Sequence, residues 1–278
     1  MFAQLVINLE SRRGAQAAPE VRAALHAAAI EFVEGGWPDD IAGNVDCIIA
    51  AGGDGTLLSA IASALQRDLP LGVIPLGTFN DLARTLRVPF DIRGAIEVIA
   101  SRNARAIDVG RVNGHYFVNE SSIGISSRIS RLQTTGIKKR FGFLAVLATA
   151  VQAFRYARPI HAEIVHAGGV ETLKTIQLTI ANSYHFGGFL SVSDAAIDDG
   201  WLDLYSVDIE NAWEAFCIGR AMLAGQRENV PGLRTLRGKR FEIRTHHEHH
   251  IEADAEPAGK TPATFEILPK ALRVFVPH

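Results

Sequence analysis

The chain has 278 residues, more than one compact domain usually needs and fewer than three would take, so two domains or one large one are expected. Apolar residues make up 47% and charged residues 21%, which excludes disorder over most of the length. Lys plus Arg total 28 against 30 for Asp plus Glu, and a formal charge of −2 leaves the whole chain without an electrostatic footprint for nucleic acid.

In chain order, FAQLVIN (Phe2–Asn8) is a short apolar run ending in a polar turn. Pro19–Ala29 is Ala-rich and reads as a helix, with Pro19 in a first turn that tolerates it. Ile30–Val33 is a weak strand, Cys47–Ala51 a buried-strand run ending at Gly52, and Leu57–Leu65 a helix. Leu71–Pro75 is another strand and Phe79–Leu86 another helix. Strands alternating with short helices predict a parallel sheet covered on both faces.

After Arg105 the texture changes. Strand-like runs follow at Ala106–Val112, His115–Glu120, His161–Val165, Leu173–Asn182, Trp201–Val207, Phe241–Thr245 and Phe265–Leu268. Helical segments at Phe141–Arg155 and Ala212–Leu223 interrupt them. Strands at this density, separated by Gly, Asn and Asp turns, predict an antiparallel β domain. The expected division is an α/β domain over 1–107 and a β domain over 108–269, with a last strand, Leu272–Val276 within 270–278, returning to the first.

Cys47 and Cys217 lie far apart with no other thiol, which excludes a disulfide framework and a Cys-based zinc site. The opening MFAQLVINLE lacks the basic region and cleavage site of a secretory signal. The longest nearly apolar run, Phe141 to Phe154, falls short of the roughly 18 residues of a spanning helix. A cytoplasmic chain without a transmembrane segment is expected.

Gly52-Gly53-Asp54-Gly55-Thr56 stands between a buried strand and a helix. Three glycines in four positions let backbone N–H groups approach a ligand, and the helix start adds a partial positive charge. Together they suit a phosphate chain, whereas an ordinary turn needs one glycine. The turn is neither a P-loop, since no G-x-x-x-x-G-K-[ST] occurs, nor a dinucleotide fingerprint, since Leu58 stands where a third glycine belongs. A second turn, Pro75-Leu76-Gly77-Thr78-Phe79-Asn80-Asp81, follows one strand later. Both turns fall at C-terminal strand ends, where open parallel sheets bind ligands, with Asp54 and Asp81 as candidate carboxylates for hydrated Mg²⁺.

GGDGT followed by PLGTFND resembles the diacylglycerol kinase catalytic domain superfamily, which includes bacterial lipid kinases and sphingosine kinases. DVGRVNGHYFVNESSIGI (Asp108–Ile125), ANSYHFGG (Ala181–Gly188), DDGWLDL (Asp198–Leu204) and IEADAEP (Ile251–Pro257) resemble further family segments in the family's order. The resemblance implies an NAD kinase-like α/β nucleotide-binding domain followed by a β-sandwich, with the active site in the cleft between them. It implies that Gly52, Gly53, Gly55, Thr56, Gly77, Thr78 and Asn80 hold ATP phosphates, and that Asn8 answers to the Asn of an Asn-Pro turn. Asp254 is then the base that takes the proton from a lipid hydroxyl, with Glu256 beside it. Asp199 anchors a Mg²⁺ with the carbonyls of Leu202 and Leu204. Leu9 stands for the family's proline, Leu58-Ser59 for its Asn-Glu, Ser193 for a proline, and Ala255 for the glycine between Asp254 and Glu256.

The implied activity is ATP- and Mg²⁺-dependent phosphorylation of a hydroxyl on a diacylglycerol-like or sphingoid lipid, at the inner membrane face, with assembly as a homodimer open. A soluble-substrate kinase of the NAD kinase type shares the GGDGT turn, but PLGTFND and DDGWLDL argue against it. A nucleotide-binding regulator without turnover is the other alternative. His246, His247, His249 and His250 read as a polar strand edge or loop in preference to a metal site. Lys138-Lys139-Arg140 before the apolar stripe of Phe141–Arg155 fits a membrane contact, though the stripe itself reads as core.

Overall fold

The computed structural model describes residues 1–35, 42–124, 158–182, 185–186, 190–191, 196–208 and 232–278. The expected helices over Phe141–Arg155 and Ala212–Leu223, the basic run 138–140 and Ser193 lie outside these residues. The chain forms two compact units. The first comprises Met1–Val109, Ser183–Gly200 and Leu268–His278, the second Gly110–Asn182 and Trp201–Ile267.

The first unit begins with β1 (Phe2–Ile7), α1 (Arg12–Ala27), β2 (Glu31–Glu34), β3 (Cys47–Gly52) and α2 (Asp54–Arg67). β4 (Leu71–Pro75), α3 (Asp81–Thr85), α4 (Ile92–Ser101) and β5 (Ala104–Val112) follow. β1 pairs in parallel with β2 and β3, and β3 with β4, in registers Phe2↔Glu31, Ala3↔Cys47 and Ile48↔Leu71. Cys47 to Ala51 are all buried, as a parallel strand covered on both faces requires. α1 buries Gly14, Ala18, Val21 and Leu25, one stripe at helical spacing, and α2 buries Leu57, Ala60, Ile61 and Ala64 in the same way.

Two helices differ from expectation. α1 starts at Arg12 and holds Pro19 in its interior. Ser11 caps it, its Oγ accepting the Gly14 N–H at 2.9 Å, and the Ala-rich flanks carry the helix past the donor that proline lacks. α4 was not anticipated. Asp91 caps it by accepting the Gly94 N–H at 2.8 Å, and it buries Ala95, Ile96 and Ile99.

The remaining strands are β6 (His115–Phe117), β7 (Glu120–Gly124), β8 (Ile160–His166), β9 (Gly169–Thr175), β10 (Gln177–Ala181), β11 (His185–Phe186) and β12 (Leu190–Ser191). β13 (Leu202–Val207), β14 (Leu233–Gly238), β15 (Arg240–Thr245), β16 (His250–Ala253), β17 (Glu256–Lys260) and β18 (Ala263–Phe275) complete the chain. In the second unit one antiparallel sheet has the order β14-β13-β10-β7-β16-β17. Opposite it, β15 pairs antiparallel with the start of β18 and with β8, and β8 with β9. Between the two sheets lie Phe117, Ile123, Leu178, Ile180, Leu204, Phe241 and Phe265, alternate residues of their strands, which makes this unit a sandwich.

The run Leu173–Asn182 is two strands, because Thr175 Oγ1 accepts the Gln177 N–H at 3.2 Å and the chain leaves one sheet for the other at Ile176. The two runs near the C-terminus are one strand, β18, with Lys270 at φ +52° inside it. Its end, Val274, pairs in parallel with Leu71 of β4 in the first unit's sheet. No helix among the described residues is long and apolar enough to cross a membrane.

Candidate active site

The two glycine turns of the first unit meet each other. Leu76 N–H donates to the Gly52 carbonyl at 2.8 Å, so the chain segments run on together beyond β3 and β4. A Cβ on Gly77 would lie 2.5 Å from the Gly53 Cα, and one on Gly53 3.2 Å from the Gly77 Cα. No side chain fits at the crossing, and the backbone there forms a cradle that a methyl group would fill.

A carboxylate locks the crossing. Asp54, in the first turn of α2, accepts the N–H groups of Asn80 and Asp81 at 3.2 and 3.1 Å. Burial pushes its pKa above the usual carboxylate range, against the opposing pull of those two N–H groups and of Arg84. Asn80, at φ +52°, closes the second turn on itself. Its Oδ1 accepts the Gly77 N–H at 2.9 Å and its Nδ2 donates to the Gly77 carbonyl at 3.0 Å. Thr56, Asn80 and Asp81 are buried, while Gly55 and Thr78 are exposed.

The turn after β1 joins this group. Asn8 Oδ1 accepts the N–H groups of Glu10 and Ser11, both at 3.1 Å, and so shapes the entry to α1 without a proline. Arg13, one residue into that helix, donates to the Gly77 carbonyl at 2.9 Å. Sequence reasoning missed Arg13; its signal was a basic pair, Arg12-Arg13, in the segment that follows the first strand. The residues expected to hold phosphates therefore share one end of the first unit's sheet, with a guanidinium among them.

A backbone cradle, a helix N-terminus and a guanidinium suit a triphosphate. Mg²⁺ takes one or two carboxylates with phosphates and water, and Asp54 and Asp81 provide that donor type. The described residues contain no group of three or more His, Cys, Asp or Glu that could hold a metal, the histidines at 246–250 included. His246 stacks its ring on His161 at 5.3 Å, and His250 belongs to β16.

Asp199 lies in the turn before β13. Its Oδ2 accepts the Ala196 N–H at 3.5 Å, and its own N–H donates to the Ala196 carbonyl at 3.2 Å. Leu202 and Leu204 belong to β13 in the second unit, Leu204 between Ile180 and Leu236 of the neighbouring strands. The organising carboxylate of the Asp-Asp-Gly turn is Asp108, which sequence reasoning did not single out. It is fully buried and accepts the N–H groups of Gly200 at 2.6 Å and Lys270 at 2.7 Å. Its signal was an aspartate inside the apolar run AIDVGRV.

In the second unit, Asp254 and Ala255 are the central residues of the β16–β17 hairpin turn, at φ +46° and +67°. Two left-handed residues between the paired Ala253 and Glu256 fit a type I′ turn, which favours glycine at the second position. Asp254 is buried. Its carboxylate accepts three backbone N–H groups, from Val118 at 2.8 Å, Asn119 at 3.0 Å and Glu120 at 2.9 Å. Three of its roughly four acceptor positions are thus occupied. Glu256 is exposed at the start of β17.

Residues 5–112 match the family model of the diacylglycerol kinase catalytic domain, and residues 120–276 that of the YegS C-terminal NAD kinase beta sandwich-like domain. A diacylglycerol kinase of Staphylococcus aureus (strain Newman) is 31% identical over 239 residues, covering 84% of this chain and 76% of the relative. Among solved structures, a diacylglycerol kinase from Bacillus anthracis str. Sterne aligns with a TM-score of 0.76 at 22% identity, over 99% of this chain and 96% of the other. An NAD kinase from Archaeoglobus fulgidus in complex with ATP aligns at 0.59 and 14%, over 99% and 93%. These likenesses establish the fold as an NAD kinase-like α/β domain with an antiparallel β domain. By its two matching domains and its relatives, the chain belongs to the diacylglycerol kinase family, phosphotransferases that use an alcohol group as acceptor.

Proposed function

We propose that this protein is a lipid kinase that transfers a phosphoryl group from ATP, with Mg²⁺, to a hydroxyl of a diacylglycerol-like or sphingoid lipid. The observation that carries it is the crossing of the Gly53 and Gly77 turns, locked by Asp54, in a chain of this family. The fold relative crystallised with ATP supports the choice of donor. The family name of the relatives supports a lipid acceptor over a soluble one.

Phosphoryl transfer asks the protein to position, to neutralise charge and to supply a base. The backbone of Gly52, Gly53, Gly55 and Gly77, with Thr56, Thr78, Asn80 and Asn8 around it, would orient the phosphates. Arg13 would offset their charge. Asp54 and Asp81 would hold Mg²⁺, which supplies neutralisation of charge developing on the transferred group.

The base comes from the β16–β17 turn. Asp254 was expected in that role, with Glu256 beside it. The three N–H groups on Asp254 favour a division in which Asp254 fixes the turn and Glu256, exposed two residues on, takes the hydroxyl proton. Asp199 is proposed as the carboxylate of a second, structural Mg²⁺ site, since a hard cation takes oxygen ligands. A melting temperature of Asp199→Ala equal to wild type, with and without chelator, would remove it.

The functional test is transfer of label from γ-labelled ATP to an extract of total lipids, with and without Mg²⁺. Labelled lipid that depends on Mg²⁺ is expected. Label appearing in NAD while every lipid stays unlabelled would replace this reading with the soluble-substrate one.

A further inference from the structure

Trp201 precedes β13 in the second unit and is 41% exposed. Two cations flank its ring, the Arg237 guanidinium at 5.9 Å and the Lys239 ammonium at 5.2 Å from the centroid. The arrangement follows from strand register. Leu202 pairs with Gly238, so Trp201 falls opposite Lys239, and Asp203 pairs with Arg237 on the same face. β14 is the edge strand of its sheet, and Lys239 is the residue at which the chain crosses to β15 in the opposite sheet. Arg240 continues the basic run and is exposed. Arg237 approaches Asp203 at 3.6 Å, but neither Lys239 nor Arg240 makes an ion pair with a described residue.

An exposed indole ringed by cations matches one surface chemistry well. Its apolar body and N–H suit the headgroup level of a bilayer, where tryptophan concentrates. Lysine and arginine beside it complement anionic headgroups. The charge is local, since the chain as a whole is at −2. We propose that Trp201, Arg237, Lys239 and Arg240 form an interfacial anchor that seats the second unit on an anionic bilayer surface. This rests on the lipid-kinase reading, because a diacylglycerol-like acceptor is presented at such a surface.

The test is co-sedimentation of the full chain with phosphatidylcholine vesicles that contain or lack phosphatidylglycerol, comparing wild type with W201A and K239E. Wild type is expected to bind the anionic vesicles preferentially. K239E should bind them roughly thirty-fold more weakly, as reversing one charge doubles the loss of a single lysine. Activity toward a short-chain diacylglycerol dispersed in detergent should be unchanged in both variants. The anchor is overturned if both variants sediment like wild type, or if wild type ignores phosphatidylglycerol. If the variants lose vesicle binding while wild type phosphorylates no lipid, the anchor stands and the kinase reading falls.

Discussion

The carboxylate of Asp54 reaches across from one turn to the other and accepts the N–H groups of Asn80 and Asp81. A charged group at the start of α2 thereby caps the start of α3, and the two glycine turns cannot separate without breaking both bonds. The same burial that makes these bonds effective raises the pKa of Asp54, because it penalises the charged form.

That relationship predicts the behaviour of Asp54→Asn. The variant keeps the shape, loses the charge, and presents an amide NH₂ to one of the two N–H groups, so turnover should fall by about 10²-fold or more. The pH dependence has a defined sign. A carboxylate whose folded pKa is raised binds its proton more tightly in the folded state. Wild type therefore loses stability relative to the variant as pH rises from the unfolded value, about 3.9, through the folded one. Melting temperatures of both proteins from about pH 4 to about pH 8 test this. A constant difference between them means that Asp54 does not titrate as burial requires.

Gly77→Ala should damage the cradle directly. Its Cβ would stand 2.5 Å from the Gly53 Cα and 2.6 Å from Asn80 Oδ1, and the first of these is backbone that cannot step aside. A loss of about 1–3 kcal/mol in unfolding free energy is expected, together with weaker ATP binding. Gly43→Ala is the control, since nothing lies within 4 Å of its added Cβ. Denaturant midpoints and nucleotide titration check both; Gly77→Ala with wild-type affinity would show that the crossing is not the phosphate site.

Ala255 carries a strain that the sequence only hinted at. At φ +67° an alanine stands where the turn favours glycine. Ala255→Gly should raise stability by about 0.5–1 kcal/mol, because relief of the left-handed conformation exceeds the entropy that glycine adds to the unfolded chain. A lower denaturant midpoint for the variant would mean that the Ala255 methyl makes a contact outweighing the strain.

The two glycine turns were legible because their chemistry is local: glycine clusters at the ends of apolar runs announce both the turn and its use. Asp254 and Glu256 were legible as a pair but not as a division of labour. That division depends on the N–H groups of residues 118–120, more than a hundred positions away, and no spacing rule reaches so far. Asp108 was hidden for the same reason, its partners being Gly200 and Lys270. β14 and β17 were missed because LRTLRG and EPAGK lack alternation; they are edge strands of their sheet, where one neighbour and solvent set weaker demands on the sequence. α1 begins at Arg12 and not at Pro19 because the Ser11 cap, and not the proline, sets its start.

The division between Asp254 and Glu256 gives the most discriminating pair of variants. Asp254→Asn leaves one oxygen for three N–H donors and turns an NH₂ toward at least one of them. The folded state should lose about 1–3 kcal/mol as a buried backbone donor goes unmet. Glu256→Gln changes an exposed side chain and should leave stability within about 0.5 kcal/mol. A primary alcohol is a poor nucleophile at neutral pH, so removal of a positioned base costs about 10²–10⁴-fold in kcat. Glu256→Gln is therefore expected to melt like wild type, bind ATP like wild type, and turn over at about a hundredth of the rate or less. Asp254→Asn is expected to melt lower and to lose activity through a displaced turn. The opposite result is equally clear: Glu256→Gln retaining more than about a tenth of wild-type kcat, beside a normally melting and inactive Asp254→Asn, would return the base to Asp254 despite its three hydrogen bonds.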